Sequence, residues 1–157
     1  MTQNSTDLGP KIALFEPDIP QNTAAIIRTC SCLGAKLEII EPCSFLLTDK
    51  RFKRVAMDYM NEKDINFYES ADDFFKSKEN QRIILMTTKA SISYTNFKFK
   101  KNDTILFGRE SAGVPEKIHK LIKYRLIIPM KKNKRSLNVS SSVAIVLAES
   151  LKQTKLI

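Results

Sequence analysis

The sequence predicts a single α/β domain in which helices cover both faces of a mostly parallel sheet. Short apolar runs that read as strands alternate with runs of helical periodicity along the 157 residues. The strand-like runs are almost continuously apolar, which is typical of parallel strands buried on both faces. This length fits one domain with a sizeable core. We expect residues 10–157 to form that domain and residues 1–9 to be a flexible tail.

Proline and glycine separate the predicted elements in the first half of the chain. A strand at 11–15 ends before Pro17 and Pro20. Asn22 can cap a helix that ends at Gly34, and Ile26, Ile27, Cys30 and Leu33 give this helix an apolar stripe. The elements that follow are a strand at 36–40, a basic helix at 50–60, a strand at 65–68 and a helix at 71–78.

The second half continues the same alternation. We predict strands at 82–87, 104–107 and 125–128, a short helix after Pro115, and a long helix at 138–154. The last helix has an apolar stripe made of Val139, Val143, Val146 and Leu147. Ligands of open α/β sheets bind at the carboxyl ends of the strands. The segments 86–89, 108–113 and 129–138 follow predicted strands, so they form the candidate site.

The net charge of +9 is concentrated in three clusters. The clusters are Lys50, Arg51, Lys53 and Arg54, then Lys98, Lys100 and Lys101, then Lys131, Lys132, Lys134 and Arg135. Elsewhere acidic residues slightly outnumber basic ones. Such patches favour a polyanion such as RNA, with a solvated basic surface as the alternative. A membrane surface is disfavoured because the clusters lie on no amphipathic helix with an aromatic face.

Several classes of protein and site are disfavoured. No apolar run reaches the roughly 18–20 residues that cross a bilayer, and residues 1–9 do not resemble a signal peptide, so we expect a cytoplasmic protein. Cys30 and Cys32 point away from each other on a helix, which argues against zinc and for free, mostly buried thiols. His119 is interpreted as a surface helix histidine. The glycine patterns of dinucleotide and phosphate loops are missing.

Three segments together resemble the motifs of a known family. They are FEPDIPQNTAAIIR at 15–28, LFGRESAGVP at 106–115, and IIPM at 127–130 followed by SLNVS at 136–140. Their order and spacing are similar to those of the SPOUT superfamily of RNA methyltransferases, specifically its SpoU/TrmH family. The resemblance covers about residues 11–153. It departs from the family pattern at Ala24, Ala25, Ser141 and Ala148, which bear on substrate choice and on the dimer contact.

The resemblance implies a fold, a cofactor and a substrate. The fold is Rossmann-like with a C-terminal trefoil knot, the SPOUT fold, and the protein is a homodimer with a shared site. The cofactor is S-adenosyl-L-methionine, and no metal is implied. The small size, the turn at 40–45 and the stretch at 49–59 resemble the TrmL branch. That branch methylates the ribose 2′-hydroxyl of the tRNA wobble nucleotide, cytidine 34 or 5-carboxymethylaminomethyluridine 34, so the implied partner is the anticodon loop.

The resemblance also implies roles for individual residues. Arg28, Asn22 and Glu110 are the catalytic candidates. Because a guanidinium stays protonated in proteins, Arg28 is expected to bind a phosphate beside the reacting hydroxyl rather than to act as a base. The cofactor-binding candidates are Met86, Thr87, Gly108, Ile128, Met130, Ser136, Leu137 and Asn138. The RNA-binding candidates are Lys50, Arg51, Arg54, Lys131, Lys132 and Arg135.

Plainer interpretations of these residues remain open. Asn22, Ser136 and Asn138 can be helix caps, and Ile128 and Met130 can be core residues. Arg28 and Glu110 can be solvated surface residues. At the level of the whole chain, the alternatives are a non-catalytic RNA-binding module and a 2′-O-methyltransferase of another tRNA or rRNA position.

Overall fold

A parallel sheet forms the centre of the structure, a computed structural model that describes residues 9–43, 50–59 and 61–157. Its strands are β1 (Lys11–Phe15), β2 (Lys36–Ile40), β3 (Ile65–Tyr68), β4 (Ile83–Met86), β5 (Thr104–Phe107) and β6 (Tyr124–Leu126). Its helices are α1 (Pro20–Leu33), α2 (Lys50–Tyr59), α3 (Ala71–Ser77), α4 (Glu116–Leu121) and α5 (Val139–Gln153). The strand order is β3-β2-β1-β5-β4-β6, and all neighbours pair in parallel. The predicted fold class is confirmed.

Alternate residues of the inner strands β2, β1, β5 and β4 supply two separate cores. Ile12 and Leu14 of β1 lie in the core beneath α1, α2 and α5. Ala13 and Phe15 lie in the second core, beneath α3 and α4. Since both faces of the central strands are buried, their sequences are apolar at nearly every position. This arrangement leaves the carboxyl ends of the strands as the place where loops can form a site.

Local signals predicted most element boundaries, and two predictions were wrong. Helix α1 begins at Pro20, not at Asn22, because proline supplies a helical φ and needs no hydrogen bond at the first position. Gly34 ends the helix with a left-handed φ of 77°, as predicted. Strand β6 ends at Leu126 rather than at residue 128, because the Ile127 N–H donates to the Ile92 carbonyl.

The segment between β4 and β5 lies against the C-terminal part of the chain. It contains a short 3₁₀ helix, Tyr94–Asn96, whose first N–H donates to the Ile127 carbonyl. Further along, the Phe99 N–H donates to Gln153 Oε1 at 2.9 Å. The chain that leads from β6 into α5 therefore runs beside this segment. The predicted trefoil knot stays a prediction.

A buried ion pair lies beneath α3. Glu38 is fully buried in β2 on the face that α3 covers, and its carboxylate pairs with Lys78 at the end of α3. Burial and a hydrogen bond with Glu38 raise the pKa of Tyr68. The alternation of β2 predicts a buried side chain at position 38, but the partner comes from 40 residues away in sequence.

The predicted N-terminal tail lies outside the described residues except for Gly9. Among the residues that are described, no helix is both long and apolar enough to cross a membrane.

Candidate active site

The three predicted loops meet at one edge of the sheet. β1, β5, β4 and β6 are neighbours in that order and run in parallel, so their carboxyl ends lie side by side. The segments that follow β4, β5 and β6 are the loops singled out in the sequence. The segment after β1 leads into α1 and lies beside the loop that follows β5.

A cavity of about 490 Å³ opens between these segments. All eight residues predicted to bind the cofactor line it, together with Asn22 and Glu110. Ile128 and Met130 are partly exposed, Leu137 is 42% exposed, and Ile128 both lines the cavity and packs against the core. The sequence therefore identified positions that are far apart in the chain and adjacent in space.

The reason for a glycine at position 108 lies within its own loop. A Cβ at this position would lie 2.5 Å from the Gly113 Cα and 2.9 Å from the Val114 N. The loop folds back tightly here, because Arg109 and Gly113 exchange two backbone hydrogen bonds of 3.2 and 2.8 Å. Gly108 lines the cavity, but its missing side chain makes room for the loop itself.

A chain of polar side chains connects the three predicted motifs. Asn138 Nδ2 donates to Asn22 Oδ1 at 2.9 Å, and Asn22 Nδ2 is 3.4 Å from Glu110 Oε1. The other oxygen of Glu110 accepts from the Asp18 N–H at 2.9 Å. The start of α1, the loop after β5 and the start of α5 are thus held in one arrangement by short amide and carboxyl groups.

Of the three residues that could be helix caps, only Asn138 caps a helix. Asn138 is the N-cap of α5, where its Oδ1 accepts from the Ser140 N–H at 2.9 Å. Its amide nitrogen is then free to bind Asn22, so capping and a site contact coexist in Asn138. Asn22 is not a cap, because α1 starts two residues earlier and the Asn22 side chain is used between loops. Ser136 is exposed and is not the N-cap of α5.

Asp18 and Glu110 form an interacting carboxyl pair. Partial burial, and then the neighbouring Asp18 side chain, raise the pKa of Glu110. Hydrogen bonds from Glu110 and Ser111 lower the pKa of Asp18, and the Arg109 guanidinium, whose Nε lies 3.6 Å from Asp18 Oδ2, acts in the same direction. Of the two carboxyl groups, Glu110 therefore keeps its proton to the higher pH, and Asp18 ionises first.

Arg28 does not line the cavity of its own chain. It is exposed on the outward face of α1, and its guanidinium lies 5.3 Å from the centre of the Tyr59 ring. The Tyr59 carbonyl in turn accepts from the Ser31 hydroxyl, which joins the end of α2 to α1. The structure thus brings Asn22 and Glu110 together and leaves the third catalytic candidate on a different surface.

The predicted RNA-binding residues lie on two surfaces. Lys131, Lys132 and Arg135 are exposed on the segment between Met130 and Ser136, both of which line the cavity. Lys50 and Arg54 are exposed on α2. The side chain of Arg51 lies outside the described part of the structure. The first group therefore flanks the mouth of the cavity, and the second lies on the helix that also carries Tyr59.

His119 is not the surface residue that its position in a short helix suggested. It is only 8% exposed and lines the cavity, and its Nδ1 lies 3.1 Å from an Arg125 nitrogen. Because arginine only donates, Nδ1 accepts and the proton of the neutral ring is on Nε2. Nε2 has no hydrogen-bond partner within the part of the chain that the structure describes.

The cysteines follow the helical geometry predicted for them. Cys30 is buried and Cys32 is exposed, as opposite faces of α1 require, and Cys43 is buried. Burial raises the pKa of Cys30 to about 12, so its thiol stays protonated at neutral pH. Within residues 9–43, 50–59 and 61–157, no cluster of side chains could hold a metal ion.

Asp18, Arg109, Ser111 and His119 line or support the site but were not predicted as site residues. The first three lie inside the quoted motifs, which was the available signal. Their roles depend on a contact between residues 18 and 111, which are 93 positions apart. His119 had no signal, because a histidine in a short helix gives no indication of which face is buried.

Comparison with known proteins identifies relatives of the whole chain. The family model described as the SpoU rRNA Methylase family matches residues 10–148. A tRNA (cytidine(34)-2'-O)-methyltransferase of Beijerinckia indica subsp. indica is 43% identical over 144 residues, which cover 90% of each sequence. The protein of the same name from Escherichia coli K12 is 34% identical over 144 residues, which cover 90% of this chain and 92% of the relative.

Solved structures show the same similarity. One of them, described as giving structural insights into the 2-OH methylation of C/U34 on tRNA, has a TM-score of 0.86 and 31% sequence identity. The match covers 94% of this chain and 97% of the other. The similarity therefore extends over the sheet, the helices and the loops around the cavity.

Proposed function

The chain belongs to the SpoU rRNA methylase family, and we propose that it is a tRNA 2′-O-methyltransferase that acts on the wobble nucleotide. The methyl group comes from S-adenosyl-L-methionine and is transferred to the ribose of cytidine 34 or 5-carboxymethylaminomethyluridine 34. One observation carries the proposal: all eight expected cofactor residues line one cavity beside Asn22 and Glu110. The names of the relatives support the choice of nucleotide.

The residues around the cavity fit this cofactor. A volume of about 490 Å³ suits a ligand the size of a modified nucleoside. Met86, Ile128 and Met130 offer apolar surface for the adenine, while Thr87 and Ser136 offer hydroxyl groups for polar parts of the cofactor. The cofactor supplies the reactive methyl carbon on its sulfonium. The contribution of the chain is to hold that group and to orient the sugar.

The chain's own residues serve the reacting sugar and its phosphates. Asn22 and Glu110 hold the start of α1 against the loop after β5, next to the cavity. Arg28 binds the phosphate beside the target ribose, where its positive charge favours loss of the hydroxyl proton. Lys131, Lys132 and Arg135 bind the anticodon loop at the mouth of the cavity.

A homodimer would bring the outward-facing Arg28 to a cavity. In its own chain Arg28 faces outward from α1, away from the residues it should assist. The same outward face of α1 exposes Ala25 and Cys32, which a second copy can cover. We propose that Arg28 of one subunit serves the cavity of the other. We also propose that the C-terminal segment is knotted, and that the enzyme acts on tRNA in the cytoplasm.

Two measurements separate this proposal from a non-catalytic RNA-binding module. Isothermal titration with S-adenosylmethionine should show binding, whereas a non-catalytic RNA-binding module need not bind it. Purified protein should transfer labelled methyl groups to tRNA, and Arg28→Ala should lose most of this activity while its unfolding transition is unchanged. Arg28→Lys is the matched variant, since it keeps the charge but loses the two-pronged phosphate contact. Normal turnover by Arg28→Ala would exclude the role of Arg28.

A further inference from the structure

Five exposed lysines form a surface at the end of the sheet opposite the cavity, which we call the lysine patch. Its members are Lys98, Lys100, Lys101, Lys152 and Lys155. The first three precede β5, and the last two lie at the C-terminal end of α5. The hydrogen bond of 2.9 Å from the Phe99 N–H to Gln153 Oε1 brings the two groups together.

The backbone beneath the first three lysines is firmly held. Phe99 is only 4% exposed and packs into the core beneath α5. The Lys100 N–H donates to Asp103 Oδ2 at 2.7 Å, and Arg82 Nη2 donates to the Lys98 carbonyl at 3.2 Å. The lysine side chains therefore start from fixed positions, and binding a ligand needs to order only the side chains.

Nothing in the described part of the chain neutralises the lysine patch. None of its five ammonium groups forms an ion pair with a described carboxylate. Asp103, the acid nearest in sequence to the first three lysines, is buried and bound to Arg82. Glu149, one turn before Lys152, accepts a hydrogen bond from Gln153 and forms no ion pair with a described lysine. The C-terminal end of a helix attracts cations, which accounts for Lys152 and Lys155 but not for the three lysines before β5. Clustered like charges repel, so an external polyanion is the partner that this surface fits.

The lysine patch lies on the same helix as the site but at its far end. Asn138 caps α5 at the cavity, and 15 residues of helix place the lysine patch about 22 Å away. A duplex rises about 3 Å per base pair, so this distance corresponds to roughly seven base pairs. A short stem that adjoins a loop in the cavity can span it.

We propose that the lysine patch is a second RNA-binding surface, which holds the phosphate backbone of the stem that adjoins the methylated loop. The inference rests on the proposed function, because the loop must lie in the cavity for the stem to reach α5. It differs from the predicted RNA contacts at the mouth of the cavity and on α2. Contacts of this kind position the RNA without reading its sequence.

The test compares two triple variants that each remove three positive charges. Lys98→Ala/Lys100→Ala/Lys101→Ala alters the lysine patch. The control, Lys76→Ala/Lys117→Ala/Lys120→Ala, removes exposed lysines from α3 and α4 on the opposite face. Binding is measured over a range of salt concentrations, with unmodified tRNA and with a hairpin that contains only the anticodon stem and loop.

The patch variant should bind both RNAs about tenfold more weakly. Its log K should also fall less steeply with log salt, with a slope smaller in magnitude by about 2 to 3. The control should match the wild type, and all three proteins should bind S-adenosylmethionine equally, which shows that the variants are folded. A patch variant no weaker than the control would overturn the inference. If the patch variant bound full tRNA more weakly but bound the hairpin as the wild type does, the assignment to the stem would be overturned. Because binding is measured without turnover, failure of methyl transfer by the wild type would count against the proposed function only.

Discussion

Asn138 shows how a single side chain joins folding to the site. Its side-chain oxygen caps α5, and its side-chain nitrogen donates a hydrogen bond to Asn22, which also lines the cavity. The capping function was predictable, because asparagine before an apolar helical stripe is a local signal. The bond to Asn22 was not, because 116 residues separate the two and only the sheet topology brings them together. The family motifs identified both residues as site candidates without showing this contact.

Gly108 gives a prediction at the scale of one methyl group. Gly108→Ala places a Cβ against the backbone of Gly113 and Val114, so the loop must move. We expect a loss of about 1–3 kcal/mol in the free energy of unfolding, as for overpacked sites. Since the same loop lines the cavity, the affinity for S-adenosylmethionine should also fall, by more than tenfold by isothermal titration.

Gly34→Ala is the matched control for this loop. Gly34 has a φ of 77° and open space around it, at the opposite end of α1 from the cavity. It should cost about 1 kcal/mol of stability through backbone strain and leave cofactor affinity unchanged. Equal losses of affinity in the two variants would show that Gly108 acts only through overall stability.

Among the helices and strands, those whose ends are set by neighbouring residues were predicted accurately, and those whose ends depend on a distant segment were not. β1, β2, β3 and β5 were predicted with their observed ends, since their apolar runs are bounded by turn residues and charges. The end of β6 was wrong because Ile127 pairs with the segment after β4 rather than with β4 itself. A competing partner more than thirty residues away leaves no trace in local periodicity.

The contact between the β1–α1 segment and the loop after β5 predicts a pH dependence. Glu110 has a pKa raised above its ordinary value of 4.5, so the folded protein binds more protons at this position than the unfolded chain does. Its contribution to stability therefore falls as pH rises from about 4.5 through the folded pKa. The contribution of Asp18 to stability changes with pH in the opposite direction, because its pKa is lowered in the folded protein. That contribution is lost as pH falls.

Glu110→Gln should remove the first of these effects. Glutamine donates a hydrogen bond as a protonated glutamate does, so Asp18 keeps a partner. Relative to the wild type, the variant should gain stability as pH rises above 4.5 in urea unfolding. Glu69→Gln, at an exposed position, should show no such trend. Parallel curves for Glu110→Gln and the wild type would show that the proton is not held at Glu110.

At the scale of the whole molecule, one side of the sheet carries the features that an RNA enzyme needs. Helices α1, α2 and α5 all pack on this side, and they carry Arg28, the basic residues of α2 and part of the lysine patch. The helices α3 and α4 cover the other side and a buried ion pair. The sheet and its cavity were predicted from the sequence, because the apolar runs of the strands and the order of the three motifs are local features of a single chain. It could not show that Arg28 lies outside its own cavity.

The proposal that two subunits share a site can be tested by mixing two inactive proteins. The Arg28→Ala variant keeps an intact cavity. The Gly108→Val variant keeps Arg28, but its added side chain clashes with the backbone of Gly113 and Val114 and disrupts the cavity. Co-refolding equal amounts should restore about a quarter of wild-type activity, since about half of the dimers are mixed and each has one complete site. The size of the assembly by light scattering is the accompanying control. If Arg28 serves its own chain, the mixture should stay inactive.

In the proposed reaction, this cavity directs a methyl group at one ribose of tRNA. The most direct measurement is to incubate the purified protein with S-adenosylmethionine and unmodified tRNA and to map 2′-O-methylation by nucleotide. We expect a methylated ribose at nucleotide 34 and no other new modification. Methylation that appears at another nucleotide, or only on ribosomal RNA, would contradict this expectation.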